Sequence, residues 1–313
     1  MIIFMTEEEI KRLYGSCTLC PKKCGADRYK KEGFCKEKAG VRAAKAMLHF
    51  AEEPLLCGAG GAGAVFFSGC PLRCVYCQNY EISAEGFGKE ISIKDLADIF
   101  LSLEQAGAQN IDLVSASHFL PSVIAALDLV RHKLKIPVVY NSSGYESEDA
   151  LKMLSGYIDI YLPDIKYFDD SLAKKYSAAP GYFKTACKAL SEMIRQTGPV
   201  DITEKDGAKA ITRGVIVRHM VLPGCKDDSI AVLRGLYARF GNDKFLISLL
   251  RQYTPFYKAK TDERYKSLDR RVTGYEYDKA KDEAVRLGFD GFIQEKSSAK
   301  EEYTPVFDLE GLP

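Results

Sequence analysis

The sequence predicts an α/β fold built on a parallel sheet, and three observations carry that reading. Short apolar runs of strand character recur through the middle of the chain. Each is followed by a stretch with apolar residues at helical spacing. Capping-box and glycine signals mark the changeovers. Strict alternation of strand and helix specifies parallel strands joined by right-handed crossovers, which give an open sheet or a barrel.

The elements follow in order. Ala64–Phe67 reads as a buried strand, reached through the glycine run Gly58–Gly63. That run lacks a Gly-Lys-Ser/Thr ending and precedes a strand, so it reads as close-packed backbone rather than a phosphate loop. Ser92 and Asp95 form a capping-box pattern ahead of Leu96, Ile99, Phe100 and Leu103, and Gly107 closes that helix. Ile111–Val114 is a strand, and Pro121 opens a helix carrying Val123, Ile124, Leu127 and Val130. Val138–Tyr140 is a strand, Ser147–Leu154 a short helix and Tyr157–Leu162 a strand. Helical sequence fills most of 170–197, and a charged loop is expected at 201–213. Val215–Leu222 is a strand, Ser229–Phe240 a helix and Phe245–Leu250 the sixth strand. Residues 258–272 read as loop, Thr273 with Glu276 opens a helix ended by Gly288, and Phe292–Gln294 adds an edge strand. The expected organisation is a Cys-rich segment 1–57 made of loops around a metal, a central unit 58–257 and a C-terminal α/β extension 258–313.

The chain has 313 residues and a formal net charge of +1, which argues against a nucleic-acid partner, since that needs a dominant basic face. Apolar content of 46% excludes global disorder, and no run is long enough to cross a membrane. The apolar start Met1–Met5 runs at once into Glu7, Glu8 and Glu9, unlike a signal peptide. A cytoplasmic location with reduced thiols is expected.

Ten cysteines are present, and eight of them (17, 20, 24, 35, 57, 70, 74 and 77) crowd the first 77 residues. In a reducing compartment this points to metal or cluster ligation. The central signal is Cys70-x3-Cys74-x2-Cys77, directly after the first strand. Three thiolates on one tight loop can hold three irons of a [4Fe–4S] cube, leaving the fourth iron for a small chelating molecule such as an α-amino acid. Zinc would need a fourth ligand, for which His49 or Cys57 could serve. Cys17, Cys20, Cys24 and Cys35 form a second set, suited to a structural zinc, a second cluster, or no ligand at all. Cys187 and Cys225 read as bystanders.

The Cys-x3-Cys-x-aromatic-Cys pattern, with Tyr76 as the aromatic, resembles the radical S-adenosylmethionine (SAM) signature. Residues around 40–300 also resemble the pyruvate formate-lyase activating enzyme family. The stretches that carry this are Leu48-His-Phe-Ala-Glu-Glu-Pro54, Val65-Phe-Phe-Ser-Gly-Cys70, Cys77-Gln-Asn-Tyr-Glu-Ile-Ser83, Tyr140-Asn-Ser-Ser-Gly-Tyr145, Tyr161-Leu-Pro-Asp-Ile-Lys166, Val217-Arg-His-Met-Val-Leu-Pro-Gly224, Gln252-Tyr-Thr-Pro255 and Cys17-x2-Cys20-Pro-x2-Cys24-Gly. The resemblance implies a partial (β/α)6 barrel and a [4Fe–4S] cluster that cleaves SAM reductively. The resulting 5′-deoxyadenosyl radical takes a hydrogen atom from the substrate. It also implies an electron donor such as flavodoxin or ferredoxin. In the activases the protein substrate is a glycyl radical enzyme.

Barrel chemistry falls at the C-terminal ends of strands. After the second strand, Ser115, Ser117 and His118 stand where the superfamily has Gly-Gly-Glu around the methionine ammonium. After the third, Asn141 and Ser142 resemble the activases' Asp-Thr-Asn-Gly, with the Asp charge missing. After the fourth, Asp164 and Lys166 match the activases' Asp-x-Lys, which implies SAM binding; a surface ion pair is the alternative. On the fifth strand alternation sends Arg218 and His219 to opposite faces, and the resemblance makes Arg218 the inward one. After the sixth, Gln252 and Tyr253 stand near the adenine position, and Tyr253 can stack there. Three functions compete: an activase of a glycyl radical enzyme, a radical SAM enzyme acting on a small molecule or another protein, and a zinc-stabilised binding module without catalysis.

Overall fold

A computed structural model describes residues 4–205, 208–295 and 304–313. Of the stretches read above, Met1–Ile3, residues 206–207 of the charged segment and residues 296–303 of the C-terminal extension lie outside them. In chain order the elements are α1 (Glu7–Gly15), β1 (Val41–His49), α2 (Pro54–Cys57), β2 (Ala62–Phe67), α3 (Tyr80–Ser83), β3 (Lys89–Ile91), α4 (Ile93–Gln105), β4 (Ile111–Val114), α5 (Leu120–Val130), β5 (Val138–Ser142), α6 (Glu148–Met153) and β6 (Ile160–Pro163). They continue with α7 (Asp170–Ser177), α8 (Tyr182–Thr197), β7 (Asp201–Lys205), β8 (Ala208–Met220), α9 (Lys226–Phe240), β9 (Leu246–Leu250), α10 (Lys258–Thr261), α11 (Gly274–Arg286) and β10 (Gly291–Ile293).

Among the described residues one sheet runs β10-β9-β8-β6-β5-β4-β2-β1-β3, with β7 paired to β8. The pairings from β2 through β10 along this path are parallel, so the six expected strands form an α/β partial barrel with β10 added at one edge. β1 joins β2 antiparallel and β3 joins β1 antiparallel, so the sheet ends in β3 and β10 and stays unclosed.

Period-two alternation sorts the side chains. Ile111, Leu113, Val138, Tyr140, Tyr161, Val215, Val217, Ile247 and Leu249 face outward into the core beneath the helices. Residues of the opposite parity (Val139, Ile160, Leu162, Ile216 and Leu246) form a separate inner cluster, plugged by Leu56 of α2. The same parity continues as a polar layer: Asp112, Asn141, Asp164, Arg218 and Ser248.

Three regions differ from the reading above. Residues 258–272, read as loop, hold α10 and a 3-10 helix over Glu263–Leu268 that the Asp262 side chain caps. The head is not all loop. Thr6 and Glu9 form a complete capping box that starts α1, and β1 covers the outer edge of β2. β1 is rich in alanine, a poor strand former, and its strand conformation comes from pairing on both sides. Within the charged segment 201–213, β7 pairs with the start of β8 as a hairpin, and Asp201, Glu204, Lys209 and Arg213 are exposed.

Candidate active site

The loop after β2 begins at Gly69, whose φ of +77° suits glycine. A Cβ there would run into Glu37 and stand 2.7 Å from the Cys35 carbonyl oxygen. The turn carries Cys70, Cys74 and Cys77 onto one cavity, together with Tyr76. Each sulfur has a polar neighbour. The Leu72 N–H reaches Cys70 Sγ at 3.4 Å, the Ser177 hydroxyl lies 3.0 Å from Cys74 Sγ, and the Ser83 hydroxyl lies 3.3 Å from Cys77 Sγ. Burial pushes all three thiols up, Cys77 to about 11, and Lys166 opposes this most at Cys74. Ligation by a metal must therefore release their protons.

The opposite wall comes from the other strand ends. Asn141 and Ser142 of β5, Asp164 and Lys166 after β6, Arg218 of β8 and Gln252 after β9 line the same cavity. Lys166 Nζ donates to Asp164 Oδ2 at 2.6 Å, and Arg218 Nε donates to Asp164 Oδ1 at 3.1 Å. Burial alone would raise the Asp164 carboxyl, but Lys166 and Arg218 outweigh it and hold it below the ordinary carboxylate range. Burial likewise acts to lower Lys166, and Asp164 with Cys74 keeps it raised. The pair is thus charged and faces the cavity rather than solvent. Each Asp164 oxygen keeps a free lone pair for a further donor.

Arg218 is the hub beneath. Its Nη1 donates to Glu52 Oε2 at 2.9 Å and its Nη2 to Asn141 Oδ1 at 2.5 Å. Asn141 Nδ2 in turn lies 3.2 Å from Asp112 Oδ2. Glu52, Glu53 and Asp112 were given no role by sequence reasoning. The signals were a Glu-Glu pair before Pro54 and a lone acid in the apolar strand Ile111–Val114. Glu53 is buried and pushed up to about 7 by that burial, while Asp112 is raised well above its usual value by burial and by Glu52. Burial thus works against the charged form of both carboxyls, and the Arg218 guanidinium opposes it at each.

The remaining predicted residues divide. Ser115 lines the cavity with φ +62°, a conformation in which glycine would be unstrained. Ser117 and His118 lie behind the wall. Ser117 donates to Glu146 Oε1 at 2.6 Å, and His118 Nε2 contacts the Ser68 carbonyl at 2.6 Å. Burial drives His118 down to about 3, so it is neutral. The tight turn after Ser115 directs both side chains into the core. Tyr253 is also behind the wall: its hydroxyl donates to the Leu268 carbonyl at 2.8 Å, and its ring packs edge-on against Tyr76. Gln252, one residue earlier, faces the cavity instead. His219 faces away from Arg218, with Nδ1 2.6 Å from the Ile165 carbonyl.

The family model for the radical SAM superfamily matches residues 64–233, more than half of the chain. This chain belongs to the radical SAM superfamily. An uncharacterized protein of Methanocaldococcus jannaschii is 28% identical over 291 residues, spanning 90% of this chain and 78% of its own. Among solved structures, HydG, a maturase of the [FeFe]-hydrogenase, is similar over 77% of this chain and 53% of its own, with TM-score 0.48 and 13% identity. SuiB of Streptococcus suis bound to its precursor peptide SuiA is similar over 72% and 46%, with TM-score 0.46 and 12% identity. This chain spans about half the length of each of these two.

The radical SAM family implies a [4Fe–4S] cluster and SAM, and the donor set fits both. In a cube each thiolate takes a different iron, and three cysteines of one loop face one cavity here. Cys70, Cys74 and Cys77 would hold the cluster. Asp164, Lys166, Ser115, Asn141 and Ser142 offer the charges and hydroxyls that an amino acid and a ribose need.

Proposed function

We propose that this chain cleaves SAM reductively and uses the product to take a hydrogen atom from its substrate. The observation that carries this is that three loop cysteines and the Asp164–Lys166 pair face one cavity at the C-terminal rim of the barrel. Held by Cys70, Cys74 and Cys77, the cluster would supply the electron for reductive cleavage of SAM. The protein supplies the geometry. Lys166 pairs with a carboxylate, Asp164 accepts from ribose hydroxyls, and Arg218 holds Asp164 in place by one of its three side-chain hydrogen bonds. Buried walls such as Phe66, Phe67 and Val114 keep water from the radical.

The sequence resemblance to the activases supports a backbone glycine of a partner protein as the hydrogen donor, with a flavodoxin- or ferredoxin-like protein as the electron source. The test is anaerobic reconstitution with iron and sulfide, followed by a dithionite-driven assay for 5′-deoxyadenosine. Incubation with a glycyl radical enzyme encoded nearby, read by its radical signal in electron paramagnetic resonance (EPR), tests the substrate. Cleavage of SAM without that signal points to a small molecule or a different protein.

A further inference from the structure

The head cysteines remain without a function. Three of them, Cys17, Cys20 and Cys35, are buried, and Cys24 is exposed. They come from two tight loops, and the structure brings them together. The Cys17 N–H bonds the Ala26 carbonyl, and the Gly25 N–H bonds the Cys17 carbonyl, which folds Cys24 back toward Cys17. Cys24 Sγ and Cys35 Sγ close on the same bare face of Gly33, 3.5 and 3.3 Å from where a Cβ would sit. Cys20 lies within electrostatic reach of both Cys17 and Cys35.

A second observation points to an anion at this place. Arg28 is fully buried, yet it forms no ion pair among the described residues. Its guanidinium donates to three backbone carbonyls, those of Glu37, Lys38 and His118, and lies over the rings of Tyr14 and Phe119. Its charge reaches Cys24 and Cys35. A buried cation without an ion-pair partner is costly. Thiolates carrying a metal group would balance it.

Zinc could close such a set structurally but has no redox chemistry to offer a neighbouring cluster. What favours an iron–sulfur group is the place of the head, which touches the barrel loop directly. The Cys70 N–H donates to the Cys35 carbonyl at 3.3 Å, Arg73 bonds the Phe34 carbonyl, and the charge of Lys22 reaches Cys20, Cys70 and Cys74.

We propose that Cys17, Cys20, Cys24 and Cys35 hold a second iron–sulfur cluster that relays electrons to the one on the Cys70–Cys77 loop. The proposal rests on the radical SAM reading above. A low-potential one-electron donor, a reduced flavoprotein or iron–sulfur protein, reduces the head cluster near exposed Cys24. The electron passes across the Cys35–Cys70 contact to the barrel cluster. There it breaks the carbon–sulfur bond of SAM: the sulfur leaves as neutral methionine and the carbon keeps the unpaired electron.

Two variants of the full chain, reconstituted anaerobically, test this. With Cys70, Cys74 and Cys77 all changed to Ala, SAM cleavage is lost, but about four irons per chain should remain, with a cluster EPR signal after reduction. An iron-free protein, or zinc in its place, overturns the proposal while leaving the barrel assignment intact. Cys24→Ala should reduce iron from about eight to about four per chain. Dithionite, small enough to reach the barrel cluster, should still drive cleavage, while cleavage driven by reduced flavodoxin should fall at least tenfold. Unchanged iron in Cys24→Ala sinks the site, and unchanged flavodoxin-driven cleavage sinks the relay. Loss of SAM cleavage in the otherwise unaltered chain would instead count against the radical SAM reading.

Discussion

Asp164 is the residue on which the cavity's charge balance turns. It accepts from Lys166 and Arg218 and keeps lone pairs directed at the cavity. Losing a charge-assisted hydrogen bond costs ~1.5–3 kcal/mol, so Asp164→Ala should weaken SAM binding roughly ten- to hundredfold. Iron content should stay normal, because no cysteine is touched; equilibrium binding to the reconstituted protein checks both. Glu146 gives a prediction about pH. It is buried against Ser117 and Tyr140, and burial raises it from 4.5 to about 7. The folded protein then holds a proton that the unfolded chain has released. Its contribution to stability is present below pH 4.5 and is lost as pH rises through about 7. Glu146→Gln mimics the protonated form. It should raise the melting temperature at pH 8, with a gain on the order of 3 kcal/mol at most, and have little effect near pH 4. An equal effect at both pH values would mean that the carboxyl is not perturbed.

At the scale of elements, Gly144 joins two strand ends. Its φ is +71°, and a Cβ there would run into the Asp164 carbonyl oxygen. Gly144→Ala should therefore shift the Asp164–Lys166 corner, lowering both the melting temperature and SAM affinity by at least tenfold, with the cysteine loop unaffected. Ser92 and Asp95 form a complete capping box at the start of α4, and Ser92→Ala should cost about 1 kcal/mol in denaturant unfolding without altering SAM affinity. That box was legible in the sequence, as was the box of Thr273 with Glu276 at α11. The six parallel strands were legible too, because each is apolar on both faces and bounded by turn residues. β1 was not: Ala43, Ala44 and Ala46 give no strand signal, and its conformation depends on partners distant in sequence. The hairpin of β7 with β8 was hidden by its exposed charges. At the site, the cysteine loop could be read from its spacing, and Asp164, Lys166 and Arg218 from the resemblance to the activases. The inward packing of His118 and Tyr253 could not, since a one-residue turn decides whether they or Ser115 and Gln252 meet the cavity. Nor could the Glu52–Arg218 contact, which joins residues 166 positions apart.

At the scale of the whole molecule, distant segments complete the cavity that the barrel leaves unclosed. Pro305 lines it, and Phe307 packs edge-on against Phe66 of β2. Buried Lys45 anchors this segment through Asp308 at 2.9 Å and Glu310 at 2.8 Å. Deleting 304–313 should lower stability by about 2–3 kcal/mol from the Phe307 side chain alone, and more from stranding Lys45; thermal melts of the full and shortened chains check this. No helix among the described residues is long and apolar enough to cross a membrane. In the function proposed above, Cys70, Cys74 and Cys77 hold a cluster that breaks SAM on the face shared with Asp164 and Lys166. The most direct test of that function is 5′-deoxyadenosine formation by the anaerobically reconstituted protein with dithionite and SAM, beside a Cys74→Ala variant. Steady formation by the unaltered chain and none by the variant are expected. Equal formation by both, or none by an unaltered chain that carries its full iron, would contradict it.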